Sequence, residues 1–124
     1  MTKLQRFGEM LRDARRKADK TLGQVARVLG VSVVYLSDVE RGNRKPMTED
    51  RIIKTAEFLE IADASELLKA AIRERGFIEY DLKQASPLEA HVVGDLVTGL
   101  ARGGISEEKL LSIQKILEET NGDK

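Results

Sequence analysis

The sequence predicts an all-α fold of short helices, interrupted by one strand late in the chain, and three observations carry that prediction. Apolar residues recur at spacings of three and four through most of the 124 residues. Those stretches open on Ser, Thr or Asp, and most of them close on Gly. Aromatics make up 4% of the chain and prolines number 2, so packing falls to Leu, Ile, Val and Ala.

In residues 3–18, Leu4, Phe7, Leu11, Ala14 and Ala18 form one apolar stripe, and Thr2 with Gln5 has capping-box spacing. Thr21 and Gln24 repeat the box ahead of Leu22, Val25, Ala26 and Leu29, and Gly30 suits a left-handed C-terminal residue. Ser32 caps a third helix over about 33–41, with Leu36 and Val39 inward, and Gly42 ends it. Asn43-Arg44-Lys45-Pro46 is a basic loop, because Pro46 holds Lys45 extended. Thr48, Glu49 and Asp50 open a fourth helix whose core positions are Ile52, Ile53, Ala56 and Leu59. Asp63 and Glu66 open a fifth, with Leu67, Leu68, Ala71 and Ile72 apolar and Gly76 closing it.

Residues 77–82 alternate, placing Ile78, Tyr80 and Leu82 on one side and Glu79 and Asp81 on the other, which predicts a short strand. Ser86-Pro87-Leu88-Glu89 then reads as a helix start, followed by Leu88, Val92, Leu96 and Leu100 every four residues, with Val93 and Val97 beside them. Gly103-Gly104 stops that helix, and Ser106 caps a last one carrying Leu110, Ile113 and Leu117. The expected division is 1–76 as one domain and 77–124 as a strand and helical hairpin too small to fold alone.

Charge sharpens that division. The chain has 21 basic and 21 acidic residues, but residues 1–46 hold 11 basic and 5 acidic, leaving 10 basic and 16 acidic in 47–124. A net +6 half and a net −6 half are expected to do different jobs. With no cysteine and His91 as the one histidine, neither a thiolate metal site nor a zinc cluster is expected, and no cofactor is called for. No convergent polar set of a catalyst is visible, so no enzyme is expected. No apolar run approaches the roughly 20 residues of a membrane span, and the charged start lacks a signal peptide's apolar stretch, so a cytoplasmic protein is the expectation.

The stretch from Thr21 to Pro46 is the most informative. Two short helices flank Gly30-Val31-Ser32, and a basic loop follows, which is the spacing of a helix-turn-helix whose second helix enters the DNA major groove. With Ala26, Gly30-Val31-Ser32, Tyr35-Leu36-Ser37, Glu40-Arg41-Gly42 and Pro46 in place, residues 3 to about 75 resemble the Xre family of lambda repressor and Cro-like DNA-binding domains. The resemblance implies a five-helix lambda-repressor-like domain that reads bases with Val33, Val34, Ser37 and Asp38. It also implies DNA-backbone contacts from Thr21, Tyr35, Arg41, Asn43, Arg44 and Lys45, with Glu40 and Gly42 structural. Leu22 stands where many members carry a Gln that touches phosphate. Valines at 33 and 34 favour thymine methyls, and Asp38 can accept from a cytosine amino group; the two valines are open to core or partner packing instead. Arg12, Arg15, Arg16, Lys17 and Lys20 form either a solvated face or a further backbone contact, and His91 is expected to be a packed or surface residue.

A single reading helix covers few base pairs, and a two-fold dimer places two of them about 34 Å apart on a palindrome. The dimerisation surface is expected from Ile78, Tyr80, Leu82, Leu88, Val92, Leu96, Leu100, Leu110, Ile113 and Leu117. The leading expectation is a homodimeric transcriptional repressor whose partners are double-stranded operator DNA and itself, with no membrane. Two alternatives stay open: the DNA-binding antitoxin of a toxin–antitoxin pair, its second half masking a toxin, and a protein–protein adaptor that has lost DNA binding.

Overall fold

The computed structural model describes residues 5–78 and 80–122. Helices follow the local start and stop signals closely: α1 (Phe7–Lys17), α2 (Leu22–Leu29), α3 (Val33–Glu40), α4 (Glu49–Phe58), α5 (Ser65–Arg75), α6 (Pro87–Ala101) and α7 (Glu107–Gly122). The chain divides into two compact units, Met1–Glu79 and Tyr80–Lys124.

In the first unit, one apolar stripe from each of α1 to α5 meets in a shared core of Phe7, Leu11, Val25, Leu29, Leu36, Val39, Ile52, Leu59 and Leu67. Met47, just after Pro46, is also fully buried, and the Arg75 guanidinium donates to its carbonyl. On α4 the inward stripe is Ile52, Thr55, Ala56 and Leu59. Ile53, expected in the core, is 39% exposed, because it lies about 100° around the helix from Ile52 and off that stripe. Buried Thr55 is satisfied by donating its hydroxyl to the Arg51 carbonyl at 2.8 Å. On α5, Ala70 and Ala71 face in, and Ile72 is turned out for the same geometric reason.

The expected start of the first helix needs correction. Thr2 and Leu4 lie outside the described residues, and α1 begins at Phe7 with Arg6 as its extended N-cap. Glu9 reaches back to the Arg6 amide at 3.3 Å, and the Phe7 amide donates to the Glu74 carboxylate on α5. Gln5 makes no cap there and instead donates to Asp13 at 2.6 Å.

α1 and α3 approach closely at Gly8. A Cβ there would stand about 2.5 Å from the Val39 carbonyl oxygen and closer still to that of Glu40. At the same contact Glu40, the last residue of α3 and 4% exposed, accepts from Arg15 Nε at 2.7 Å and from a second Arg15 nitrogen at 3.0 Å. Arg12 adds a contact at 3.6 Å, and Arg15 also donates to the Lys20 carbonyl at 2.9 Å.

Across the boundary between the two units, the strand expected over 77–82 is not seen among the described residues. Among the described residues of 77–82, Phe77, Ile78, Tyr80 and Asp81 are irregular, and Leu82–Gln84 form a single 3-10 turn. A strand needs a ladder partner, and none of the described residues supplies one. Locally, the Asp81 carboxylate accepts from the Lys83 amide at 2.8 Å, which favours a turn over an extended chain. α6 starts on the expected capping box, Ser86 Oγ accepting from the Glu89 amide at 3.1 Å and Glu89 from the Ser86 amide at 2.6 Å. Gly103, at φ +67°, reverses the chain, Ile105 packs on Gly99, and Ser106 caps α7. No residue of α6 is buried; Leu88 is 71% exposed, and Leu117 of α7 is 60% exposed.

The close approach at Gly8 makes a specific demand. Gly8→Ala should destabilise the first unit by about 3 kcal/mol, the upper range for overpacking, because the clash is with backbone and not with a side chain that can move. Thermal unfolding followed by circular dichroism reads this directly, and an unchanged melting temperature would refute the tight α1–α3 contact.

Candidate nucleic-acid interface

α2 is fixed at both ends by local chemistry. Thr21 Oγ1 accepts from the Gln24 amide at 3.1 Å, and Gln24 Oε1 accepts from the Thr21 amide at 2.8 Å. At the other end Gly30 sits at φ +69°, and the Val31 amide reaches the Ala26 carbonyl at 3.0 Å. This left-handed closure lets the chain turn within two residues. Ser32 then starts α3 by accepting from the Tyr35 amide at 3.0 Å. The chain bends by 111° between α2 and α3, inside the range of about 90–120° typical of a helix-turn-helix.

α3 has two distinct sides. Leu36 and Val39 are buried against α1 and α2, whereas Val33 and Val34 are 47% and 69% exposed. Ser37 and Asp38 are half-buried along the same outward side. The two exposed valines are consecutive and stand at the N-terminal end of the helix.

After α3 the chain reverses at Gly42, φ +80°, where the Asn43 amide reaches the Asp38 carbonyl at 2.9 Å. Arg41, Asn43, Arg44 and Lys45 all come out exposed on that loop. Asp38 draws two of them together: Arg41 donates to its carboxylate at 2.7 Å, and Arg44 Nε lies 4.0 Å away. Arg44 also lies over the half-buried Tyr35 ring, its Cζ 5.2 Å from the centroid. Thr21 is exposed at the start of α2, and its hydroxyl serves the cap.

The remaining cations sort by partner. Arg12 and Arg15 are claimed by buried Glu40, which pushes the Arg15 pKa above its ordinary value, chiefly through the hydrogen bond, so neither is a free solvated cation. Lys20 lies over the Phe58 ring at 5.1 Å, and Arg16 and Lys17 are exposed. Arg51, in the first turn of α4, was not legible as part of this surface, yet its Cζ lies 5.8 Å from the same Tyr35 ring. The only sequence signal was an arginine just past the basic loop, among the acids of a helix start. Elsewhere, His91 pairs with Asp95 at 3.4 Å on the exposed side of α6. Asp63 stays below its ordinary carboxylate pKa because it accepts from the Ser65 amide. Among the described residues no group of three or more His, Cys, Asp or Glu side chains could hold a metal. Among the described residues no single helix is long and apolar enough to cross a membrane.

The family model described as a helix-turn-helix domain matches residues 6–70, just over half of the chain. No curated protein and no solved structure matches it. The matched span runs from the N-cap of α1 into α5 and contains the 111° turn, the outward side of α3 and the arginine-bearing loop. The chain belongs to the helix-turn-helix domain family, the architecture of a DNA-binding regulator.

Proposed function

We propose that this protein is a sequence-specific, DNA-binding transcriptional regulator of the Xre kind, a cytoplasmic homodimeric repressor that binds a palindromic operator through α3. The observation that carries the reading is the pairing of an exposed N-terminal α3 side, Val33, Val34, Ser37 and Asp38, with a loop bearing Arg41, Asn43, Arg44 and Lys45. A helix presented by its N-terminal end fits the major groove, and cations beside it take the flanking phosphates. Val33 and Val34 contact thymine methyls, Ser37 donates or accepts at a base edge, and Asp38 accepts from cytosine. Thr21, at the amino end of α2, and Tyr35 contact the backbone. Because Asp38 is already bound to Arg41, it also sets how strongly the loop cations seek any phosphate.

The acidic second half supplies the dimer in this reading. Ile78, Tyr80, Leu82, Leu88, Val92, Leu96, Leu100, Leu110 and Leu117 are exposed and Ile113 is half-exposed, so a large apolar surface awaits a cover. A second copy covers it and sets the spacing of two α3 helices. A bound dimer then blocks access of polymerase or of a competing regulator to the site.

Selection of fragments from a random DNA pool by the purified protein should return one sequence with two-fold symmetry and half-sites about one helical turn apart or a multiple of it. Recovery of unrelated fragments only would overturn the sequence-specific reading. Replacing Arg44 and Lys45 together with Ala should weaken binding to every duplex and lower the salt slope by about 1.8, near 0.9 for each lost phosphate contact. Asp38→Ala should instead raise affinity for unrelated duplexes and narrow the margin for the selected site. Equal loss on both duplexes would assign Asp38 no part in discrimination. By light scattering, the full chain should be a dimer and a chain ending at Gly76 a monomer. A dimeric shortened chain would place the interface in the first unit, and a monomeric full chain would turn the apolar faces toward a different protein, such as a toxin.

A further inference from the structure

The Tyr35 ring carries two guanidiniums from two different elements: Arg44 in the loop after α3, at 5.2 Å, and Arg51 on α4, at 5.8 Å. Their carbons are therefore within about 11 Å of each other. Of the two, Arg44 has a carboxylate near it, Asp38 at 4.0 Å. Among the described residues Arg51 has no carboxylate partner. Glu49 and Asp50 precede it by two and one positions, which on a helix point to other sides.

The arrangement is also pre-ordered. Tyr35 packs against the core, which limits its ring, and Arg51 is half-buried instead of waving in water. A guanidinium lying on a ring keeps its N–H edge free for two oxygens of an anion, so stacking and phosphate binding are compatible. Part of the ordering cost of a long side chain has thereby been met before any ligand arrives.

We propose that Arg51 is a phosphate-binding arm of the DNA interface, and that Tyr35 is its positioning residue, holding Arg44 and Arg51 as a two-armed grip on one strand. This rests on the DNA-binding reading above and extends it from the loop onto α4. The grip adds a backbone contact, so it strengthens binding to all sequences alike.

The test is titration of the full-length protein against a labelled random-sequence duplex of about 20 base pairs over a range of salt, where each phosphate contact contributes about 0.9 to the slope. Arg51→Ala and Arg51→Gln should each weaken binding about fivefold to tenfold at low salt and lower the slope by about 0.9, with thermal unfolding unchanged. Arg51→Lys should retain the slope. Tyr35→Phe, which keeps the ring, should retain more affinity than Tyr35→Leu, and both should keep the parent slope, since the charges remain and only the ring that holds them differs. If Arg51→Ala and Arg51→Gln keep the parent slope while the Arg44 and Lys45 double change lowers it, the α4 arm is refuted and the DNA-binding reading stands. If the parent shows no salt-dependent binding to any duplex, the DNA-binding reading fails and the arm fails with it.

Discussion

Glu40 is the residue on which the geometry of the first unit turns. A carboxylate only 4% exposed is tolerable because Arg15 meets it with two nitrogens, at 2.7 and 3.0 Å, and Arg12 adds a third contact at 3.6 Å. Removing one partner of such a pair typically costs about 3–5 kcal/mol, a large share of a small domain's total stability. The same Arg15 donates to the Lys20 carbonyl, so one guanidinium ties the end of α3, the body of α1 and the turn before α2. With Gly8 letting the α1 backbone close on the Val39 and Glu40 carbonyls, the carboxyl end of α3 is pinned. Its amino end, with Val33 and Val34, is thereby presented to solvent at a fixed angle.

That anchoring also separates two kinds of arginine that look alike in sequence. Arg12 and Arg15 spend their charge inside, on Glu40. Arg41 and Arg44 lean on Asp38, whose side chain is partly exposed, and Arg51 and Arg44 lean on the Tyr35 ring. Surface pairs of the second kind are worth little to stability, so an incoming polyanion can take their place at small cost. The structural cations thus pair with buried Glu40, and the cations open to a ligand with partly exposed Asp38 and Tyr35.

The second unit shows what local signals achieve without a core. Its caps at Ser86, Ser106 and Gly103 define two helices, yet α6 buries none of its residues. Most helical stability in a protein comes from a packed apolar face, not from the helix by itself. Exposed Leu, Val and Ile along both helices therefore amount to an unmet packing demand, which a second copy satisfies in the proposed dimer.

Helix starts, helix stops and the helix-turn-helix spacing were legible because they depend on residues three to five apart: Thr21 with Gln24, Ser32 with Tyr35, Ser86 with Glu89, and glycines at 30, 42 and 76 in left-handed conformation. The exposed side of α3 was legible for the same reason, since Leu36 and Val39 define what faces in. Alternation over 77–82 misled, because a pattern of period two describes a strand only where another strand lies beside it. The first helix was drawn too early because a carboxylate on α5, Glu74, takes the Phe7 amide. Burial of Met47, the approach of both Arg44 and Arg51 to the Tyr35 ring, and the Arg15–Glu40 pair across 25 positions were invisible for a common reason. By itself the sequence determined where helices begin and end and which motif they spell, since capping and chain reversal are settled within one turn. Only the tertiary structure decided which charges are spent on the fold and which face outward, because that depends on what packing brings within hydrogen-bonding reach.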